Sequence, residues 1–269
     1  MNSTAGHRPR KRFGQNFLHD KSVVDRLLAS INPTPGDTIV EIGPGQGAIT
    51  EGLIKSGAQV TAIELDRDLA SALDKRFAGS GLTLHQADAL RFDFTELVSA
   101  NARLRIVGNL PYNISTPLLF HLLEQKHCIG DMHFMLQREV VERLAAEPGT
   151  KSYGRLSVMA QYHCAVEPLF EVQPTSFVPA PKVMSQIVRL QPNFEQAHAE
   201  LVSETLPALL RTAFSQRRKT LRKVFRGLIT TDQLTALNID PGRRPDTLSL
   251  TEFIAIASFQ ARGQGTQDD

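Results

Sequence analysis

No apolar run in the 269 residues approaches the roughly 18 needed to cross a bilayer, so no membrane span is expected. The basic start of the chain lacks the apolar stretch of a secretory signal. Two cysteines, Cys128 and Cys164, make neither a disulfide framework nor zinc spacing. Their apolar surroundings read as buried, reduced thiols. Eight histidines show no metal-ligand spacing, and no metal site is expected. Internal repeats and low-complexity tracts are missing too. These absences argue against a membrane protein, a secreted disulfide scaffold and a metalloenzyme; a cytoplasmic protein is the expectation.

Net charge is also scarce, only +2, and by itself names no partner. Its distribution says more. The first 19 residues carry Arg8, Arg10, Lys11 and Arg12 and no acid. From 211 to 226 there are seven basic residues (Arg211, Arg217, Arg218, Lys219, Arg222, Lys223 and Arg226), again with no acid. Two such runs on a near-neutral chain suggest local contacts with a polyanion; solvated helix faces are the alternative.

With 41% hydrophobic and 22% charged residues the chain can bury a full core. Apolar stretches at 38–42, 59–63, 82–85, 104–107 and 132–136 read as strands. Helical spacing lies between them, through Leu69, Leu73 and Phe77 and again from 116 to 123. This alternation predicts an α/β fold with a doubly wound, mostly parallel sheet. The segments 166–172, 176–178 and 185–190 continue as strands. After Gln191-Pro192 only helical patterns follow, at 201–228 and 248–259. A boundary near 192 is therefore expected: 1–192 a Rossmann-like domain with a basic tail, 193–269 a small all-α domain.

Ligands of such sheets lie at the carboxyl ends of the strands, where the strand order reverses. Four features fall there. Glu41-Ile-Gly43-Pro-Gly45-Gln-Gly47 is a strand-to-helix glycine turn, which either brings the backbone close to a ligand or is simply a tight turn. Glu64 closes the second strand, where a carboxylate accepts both hydroxyls of a ribose. Asp88 follows the third strand and suits either an adenine amine or a turn. Glu41 ahead of the glycines disfavours a phosphate and suits a cationic ligand. Together these favour S-adenosylmethionine over a dinucleotide, and a nicotinamide-dependent oxidoreductase is the weaker reading.

The fourth feature is Asn109-Leu110-Pro111-Tyr112, where an apolar strand opens into a loop. An Asn109 oxygen and the Leu110 carbonyl can take the two hydrogens of a planar exocyclic amine. Pro111 stiffens the loop, and Tyr112 offers a face for stacking, worth ~1–3 kcal/mol. An ordinary turn is the alternative on four residues alone. Phe177, before Pro179 and Pro181, sits on a stiff segment and could face a splayed base or be a core ring. Arg218, Arg222 and Arg226 recur every four residues, so 201–228 is expected to be a helix presenting guanidiniums to phosphates.

Several segments together resemble the small-subunit ribosomal RNA adenine dimethyltransferases, most of all the bacterial ones. They are Arg12-Phe-Gly-Gln-Asn-Phe-Leu18, Val40-Glu-Ile-Gly-Pro-Gly45, Ile63-Glu-Leu-Asp66, Gly108-Asn-Leu-Pro-Tyr-Asn-Ile-Ser115, Phe177-Val-Pro-Ala-Pro-Lys-Val183 and Ala213-Phe-Ser-Gln-Arg-Arg-Lys-Thr220. The resemblance implies a class I methyltransferase fold using S-adenosylmethionine. It implies that Asn16 and Leu18 close over the methionine end of the cofactor, with Gly43 and Gly45 beneath, Glu64 on the ribose and Asp88 on the adenine. Asn109, Leu110, Pro111 and Tyr112 would form the catalytic loop, with Asn109 also at the cofactor. Phe177 is expected on the far face of the target base. Arg217, Arg218, Lys219 and Arg222 would contact RNA. The implied reaction dimethylates two adjacent adenosines in the 3′-terminal hairpin loop of 16S rRNA within a pre-30S particle, by a monomer. A 23S rRNA adenine methyltransferase of the macrolide-resistance type and a non-catalytic assembly factor are the alternatives.

Overall fold

The computed structural model describes residues 15–98, 102–194 and 200–264. The basic segment from Arg8 to Arg12 lies outside them. In chain order the first elements are β1 (Phe17–Leu18), α1 (Lys21–Ile31), β2 (Thr38–Ile42), α2 (Thr50–Lys55), β3 (Gln59–Glu64), α3 (Arg67–Arg76) and β4 (Thr83–Gln86). Then come β5 (Leu104–Asn109), α4 (Ser115–Glu124), β6 (Ile129–Gln137), α5 (Arg138–Leu144), α6 (Arg155–His163), β7 (Cys164–Val172), β8 (Phe177–Val178) and β9 (Ser185–Pro192). The chain finishes with α7 (Glu200–Ser215), α8 (Leu221–Val224), α9 (Thr231–Ala236) and α10 (Leu250–Gln264).

Seven strands form one sheet in the order β4-β3-β2-β5-β6-β9-β7. Those from β4 to β6 pair in parallel, and β9 runs antiparallel to β6. The chain steps outward from β2 to β3 and β4, then returns to β5 on the other side of β2. That reversal opens a crevice above the carboxyl ends of β2 and β5. Ile39, Val40, Ile106 and Val107 have no exposed surface, as strands covered on both faces require. The parallel sheet and intervening helices are those expected from the alternating pattern.

Local chemistry sets the element ends. Asp20 starts α1 by accepting the Ser22 N–H at 3.0 Å, and Asn32 stops it in the left-handed region at φ 47°. Asp66 starts α3 in the same way, accepting the Asp68 N–H at 3.0 Å. Leu27 and Ile31 of α1 pack on Ile39, Val60, Val107, Met135 and Ile187 from five strands. At the amino end of β5, Arg105 binds both oxygens of Asp131 at 3.0 Å and Asp37 at 2.8 Å, tying β5 to β6 and to the turn before β2.

One pairing was not expected. Phe17 and Leu18, too short a stretch to show any period, pair antiparallel with Val178 and Phe177. The His19 N–H extends the ladder to the Ser176 carbonyl at 3.0 Å, and the Ser176 hydroxyl reaches Asp20 at 2.9 Å.

Contacts divide the described chain into two compact units. One holds the residues up to Val141 with Val166–Pro192; the other holds Glu142–Ala165 with the residues from Asn193 onward. One junction falls at Pro192. Segment 142–165, expected in the first domain, belongs instead with the second unit. The reason is in its side chains: the Tyr153 hydroxyl donates to the Leu248 carbonyl at 2.8 Å, and the Gly149 N–H donates to the Asp246 carbonyl at 2.7 Å.

The continuous helix expected over 201–228 also needs correction. α7 ends at Ser215, a turn follows, and α8 is only four residues long. Lys219 N–H closes the turn on the Gln216 carbonyl at 2.9 Å. Cys128 and Cys164 are buried. No helix among the described residues is long and apolar enough to cross a membrane.

Candidate active site

β2 delivers Glu41 and the glycine turn to the crevice. Gly43 and Gly45 both sit at positive φ, 66° and 59°, where a side chain would be strained. At Gly45 space matters as well, since a Cβ would lie 3.1 Å from the Phe17 ring. The Gly45 N–H donates to Glu64 Oε2 at 3.2 Å, and the Asp66 N–H donates to Oε1 at 2.9 Å. Two backbone donors thus fix the Glu64 carboxylate at the end of β3 while leaving lone pairs on both oxygens. Burial pushes its ionisation upward, opposed by those N–H groups.

Glu41 is more deeply placed, with 1% of its surface exposed. The Thr50 hydroxyl donates to its Oε2 at 2.5 Å. Burial raises its pKa to about 7; the Thr50 bond opposes that rise, and the neighbouring Glu64 charge adds to it. Asp88, after β4, accepts the Leu90 N–H at 3.0 Å, so it is a turn residue as well as a wall of the crevice.

β5 delivers the Asn109 loop. Asn109 is its last residue, and the Asn109 Nδ2 donates to the Asn16 carbonyl at 2.9 Å. With the nitrogen committed, the amide oxygen is the end left to accept hydrogen bonds. The Leu110 N–H donates to the Met135 carbonyl at 3.2 Å, which fixes the next peptide; among the described residues no backbone donor reaches the Leu110 carbonyl. Tyr112 is half-buried, its hydroxyl 2.9 Å from the Ser185 Oγ, and the Ser115 hydroxyl bonds the Tyr112 carbonyl at 3.2 Å. Burial raises the Tyr112 pKa, so the phenol stays neutral.

These groups share one cavity of about 260 Å³. Asn16, Leu18, Gly43, Gly45, Glu64 and Asp88, expected at the cofactor, line it with Asn109, Leu110, Pro111 and Tyr112 of the loop. Three carboxyl side chains face it (Glu41, Glu64 and Asp88), and among the described residues no Lys, Arg or His does. An apolar cavity with acids and no cation is built for a positively charged guest, and unsuited to a pyrophosphate. That composition fits the sulfonium and ammonium of S-adenosylmethionine.

Phe177 is not part of this wall. It is 3% exposed and packs with Leu18, Leu27, Val107 and Met135, so it is the core ring that was the alternative reading. Its β8 neighbour Val178 is 58% exposed. Arg217 is likewise reassigned. Its guanidinium donates to Asp246 Oδ2 at 3.2 Å, the Lys151 carbonyl at 2.9 Å and the Thr150 carbonyl at 3.0 Å, which leaves it a staple rather than a phosphate ligand. Arg218, Lys219 and Arg222 remain exposed.

Sequence reasoning missed other residues. Gly108 is needed because a Cβ there would lie 2.6 Å from the Ile42 carbonyl oxygen, where β5 passes the end of β2. A glycine inside an apolar strand, just before Asn109, was its signal. Gln15 and the 49% exposed Leu65 also line the cavity, without a pattern that marks them.

A family model described as ribosomal RNA adenine dimethylase matches residues 6–261. The chain belongs to that family. A protein of Nitrosococcus oceani named ribosomal RNA small subunit methyltransferase A is 56% identical over 263 residues, covering 97% of this chain and 100% of the relative. One of the same name from Vibrio cholerae is 54% identical over 255 residues, 94% of each. Among solved structures, a dimethyladenosine transferase from Plasmodium falciparum has a TM-score of 0.80 at 26% identity, over 92% of this chain and 98% of the other. The 23S rRNA methyltransferase ErmE matches in fold, with a TM-score of 0.74 at 22% identity over 90% and 98%. The family member described here is therefore an S-adenosylmethionine-dependent enzyme that dimethylates adenine in ribosomal RNA, and the fold is that of a class I methyltransferase.

Proposed function

We propose that the targets are two adjacent adenosines in the 3′-terminal hairpin loop of 16S rRNA, each methylated twice, within a pre-30S particle. The enzyme acts as a cytoplasmic monomer. The observation that carries the assignment of the reacting loop is the Asn109 amide, its nitrogen held by the Asn16 carbonyl and its oxygen left at the edge of a cation-accepting cavity.

The exocyclic nitrogen of adenine is flat and a poor nucleophile, because its lone pair is spread into the ring. The Asn109 oxygen and the Leu110 carbonyl accept its two hydrogens. They favour a more tetrahedral nitrogen whose lone pair is available. Tyr112, anchored through Ser185, supports one face of the base. Gly43, Gly45, Glu64 and Asp88 hold the cofactor, with Asn16 and Leu18 closing the methionine end. When bound, S-adenosylmethionine supplies an electrophilic methyl group. The nitrogen gains a bond to carbon and loses a proton to water; no strong base is required, and alignment does the work. Arg218, Lys219 and Arg222 contribute phosphate contacts.

The test is methylation of under-modified 30S particles, and separately of 23S rRNA, with labelled cofactor, followed by mapping of the modified nucleosides. Two adjacent dimethyladenosines near the 3′ end of 16S rRNA are expected. Label on 23S rRNA alone would assign the enzyme to the macrolide-resistance type. Particle binding without label transfer would assign it to assembly.

A further inference from the structure

The carboxyl group of Glu41 has no task in the reaction described above. It sits under the cavity at the end of β2, 1% exposed, with the Thr50 hydroxyl on Oε2. No basic side chain faces it across the cavity among the described residues. The titratable groups around it are Glu64 from β3, Asp88 after β4 and Tyr112 after β5. Asp66, behind Glu64, is turned to the start of α3. A buried carboxylate with one hydroxyl donor, facing other acids, is poorly stabilised. A cation arriving in the cavity is the countercharge it lacks.

The methyl donor and its product differ by one charge. The sulfonium sulfur is positive before transfer; afterwards it is a neutral thioether. We propose that Glu41 distinguishes the two by exchanging one proton with solvent, standing as a carboxylate opposite the donor and as a carboxylic acid opposite the product. It rests on the cofactor assignment given above. Glu41 is here a specificity residue: it makes no bond to the target base, and its effect falls on which cofactor form is held.

The sign follows from linkage. At low pH Glu41 is protonated whichever form is bound, and the discrimination disappears. At high pH it is ionised throughout, and the donor's extra charge is rewarded in full. The preference for donor over product therefore grows with pH between the Glu41 pKa values of the donor and product complexes, and it levels off above that of the product complex. Each unit by which the donor lowers that pKa makes the preference tenfold larger.

The experiment is calorimetric titration of the full chain with S-adenosylmethionine and with S-adenosylhomocysteine, from about pH 5.5 to about pH 8.5, in buffers of different ionisation enthalpy. The ratio of the two dissociation constants is expected to grow about tenfold over this range in the wild type. Donor binding near neutrality should release more protons than product binding. Glu41→Gln should flatten the ratio and abolish the difference in proton release, and since both ligands keep their own ionisations in that variant, the difference belongs to Glu41. Thr50→Val removes the hydroxyl donor and should move the midpoint upward by about one unit. This variant and the wild-type titration test the idea even if Glu41→Gln does not fold. A ratio that ignores pH in the wild type, a pH-dependent ratio that survives Glu41→Gln, or an unmoved midpoint in Thr50→Val would each sink the proposal. If neither ligand binds at any pH, the cofactor assignment fails and takes the proposal with it.

Discussion

Asn109 has two functions that one substitution separates. Its nitrogen holds the Asn16 carbonyl, and its oxygen is assigned to the target amine. Replacement by Ala should lower kcat about 10²–10³-fold, the usual cost of deleting a preorganised polar group at a reacting centre. The lost bond to Asn16 is worth about 1 kcal/mol, so cofactor Kd should weaken by less than about tenfold. Steady-state kinetics with equilibrium binding separates the two; a kcat near wild type would remove the assigned role. His133 on β6 makes a different statement. It is 1% exposed, and burial lowers its pKa from 6.5 to about 4; Asp131 works against that shift, and Arg105 and Arg189 add to it. Between those values the unfolded chain takes up a proton that the folded protein refuses. The ring therefore costs nothing above about pH 6.5, and stability falls as pH drops toward 4. The loss grows as pH falls below about 6.5 and is readable as a shift in urea midpoint. His133→Gln should flatten that part of the pH profile, and an unchanged slope would reject the assignment.

Among the elements, β5 and β2 meet where only glycine fits. Gly108→Ala would bring a Cβ to 2.6 Å from a backbone oxygen, which cannot rotate away as a side chain could. The strands must part, at a cost of about 1–3 kcal/mol, and Asn109 moves with them. Both the melting temperature and kcat should fall, and a crystal structure of the variant should show β5 displaced at its carboxyl end. A variant with unaltered stability would contradict the close approach. This is also the scale at which the sequence was most and least informative. β2, β3, β5 and β6 were legible because strands covered on both faces are rich in Ile, Val, Leu and Met, and Glu64 and Asn109 were legible as the polar residues that end β3 and β5. The pairing of β1 with β8 was not, because two residues carry no period and their partners lie 161 and 159 positions away. Phe177 was ambiguous for the same reason. A stiff Pro-flanked segment fixes the backbone, but whether its ring faces a ligand or the core depends on Leu18 and Leu27 from the far end of the chain.

For the molecule as a whole, the division into two units explains why the basic run was misread. Spacing by four predicted one helix, but the partners of Arg217 are Thr150, Lys151 and Asp246, none of them local. The same non-local bonds moved 142–165 into the second unit. They also set Arg217 apart from the exposed Arg218, Lys219 and Arg222. Neutralising Arg218, Lys219 and Arg222 together should weaken rRNA binding and reduce the slope of log K against log salt by up to about 3. Arg217→Ala, in contrast, should lower the melting temperature and leave that slope near wild type. Filter binding across a salt series, set beside thermal melts, checks both. A wild-type slope in the triple variant would place the phosphate contacts elsewhere.

The carbonyl that steadies Asn109 belongs to a stretch that precedes the central sheet in sequence and is zippered to residues that follow most of it. Proteolytic clipping just after Leu18 would therefore spare the central sheet yet leave the key amide free to swivel. A synthetic peptide corresponding to the severed piece, added back in trans, is expected to restore turnover to such a nicked enzyme.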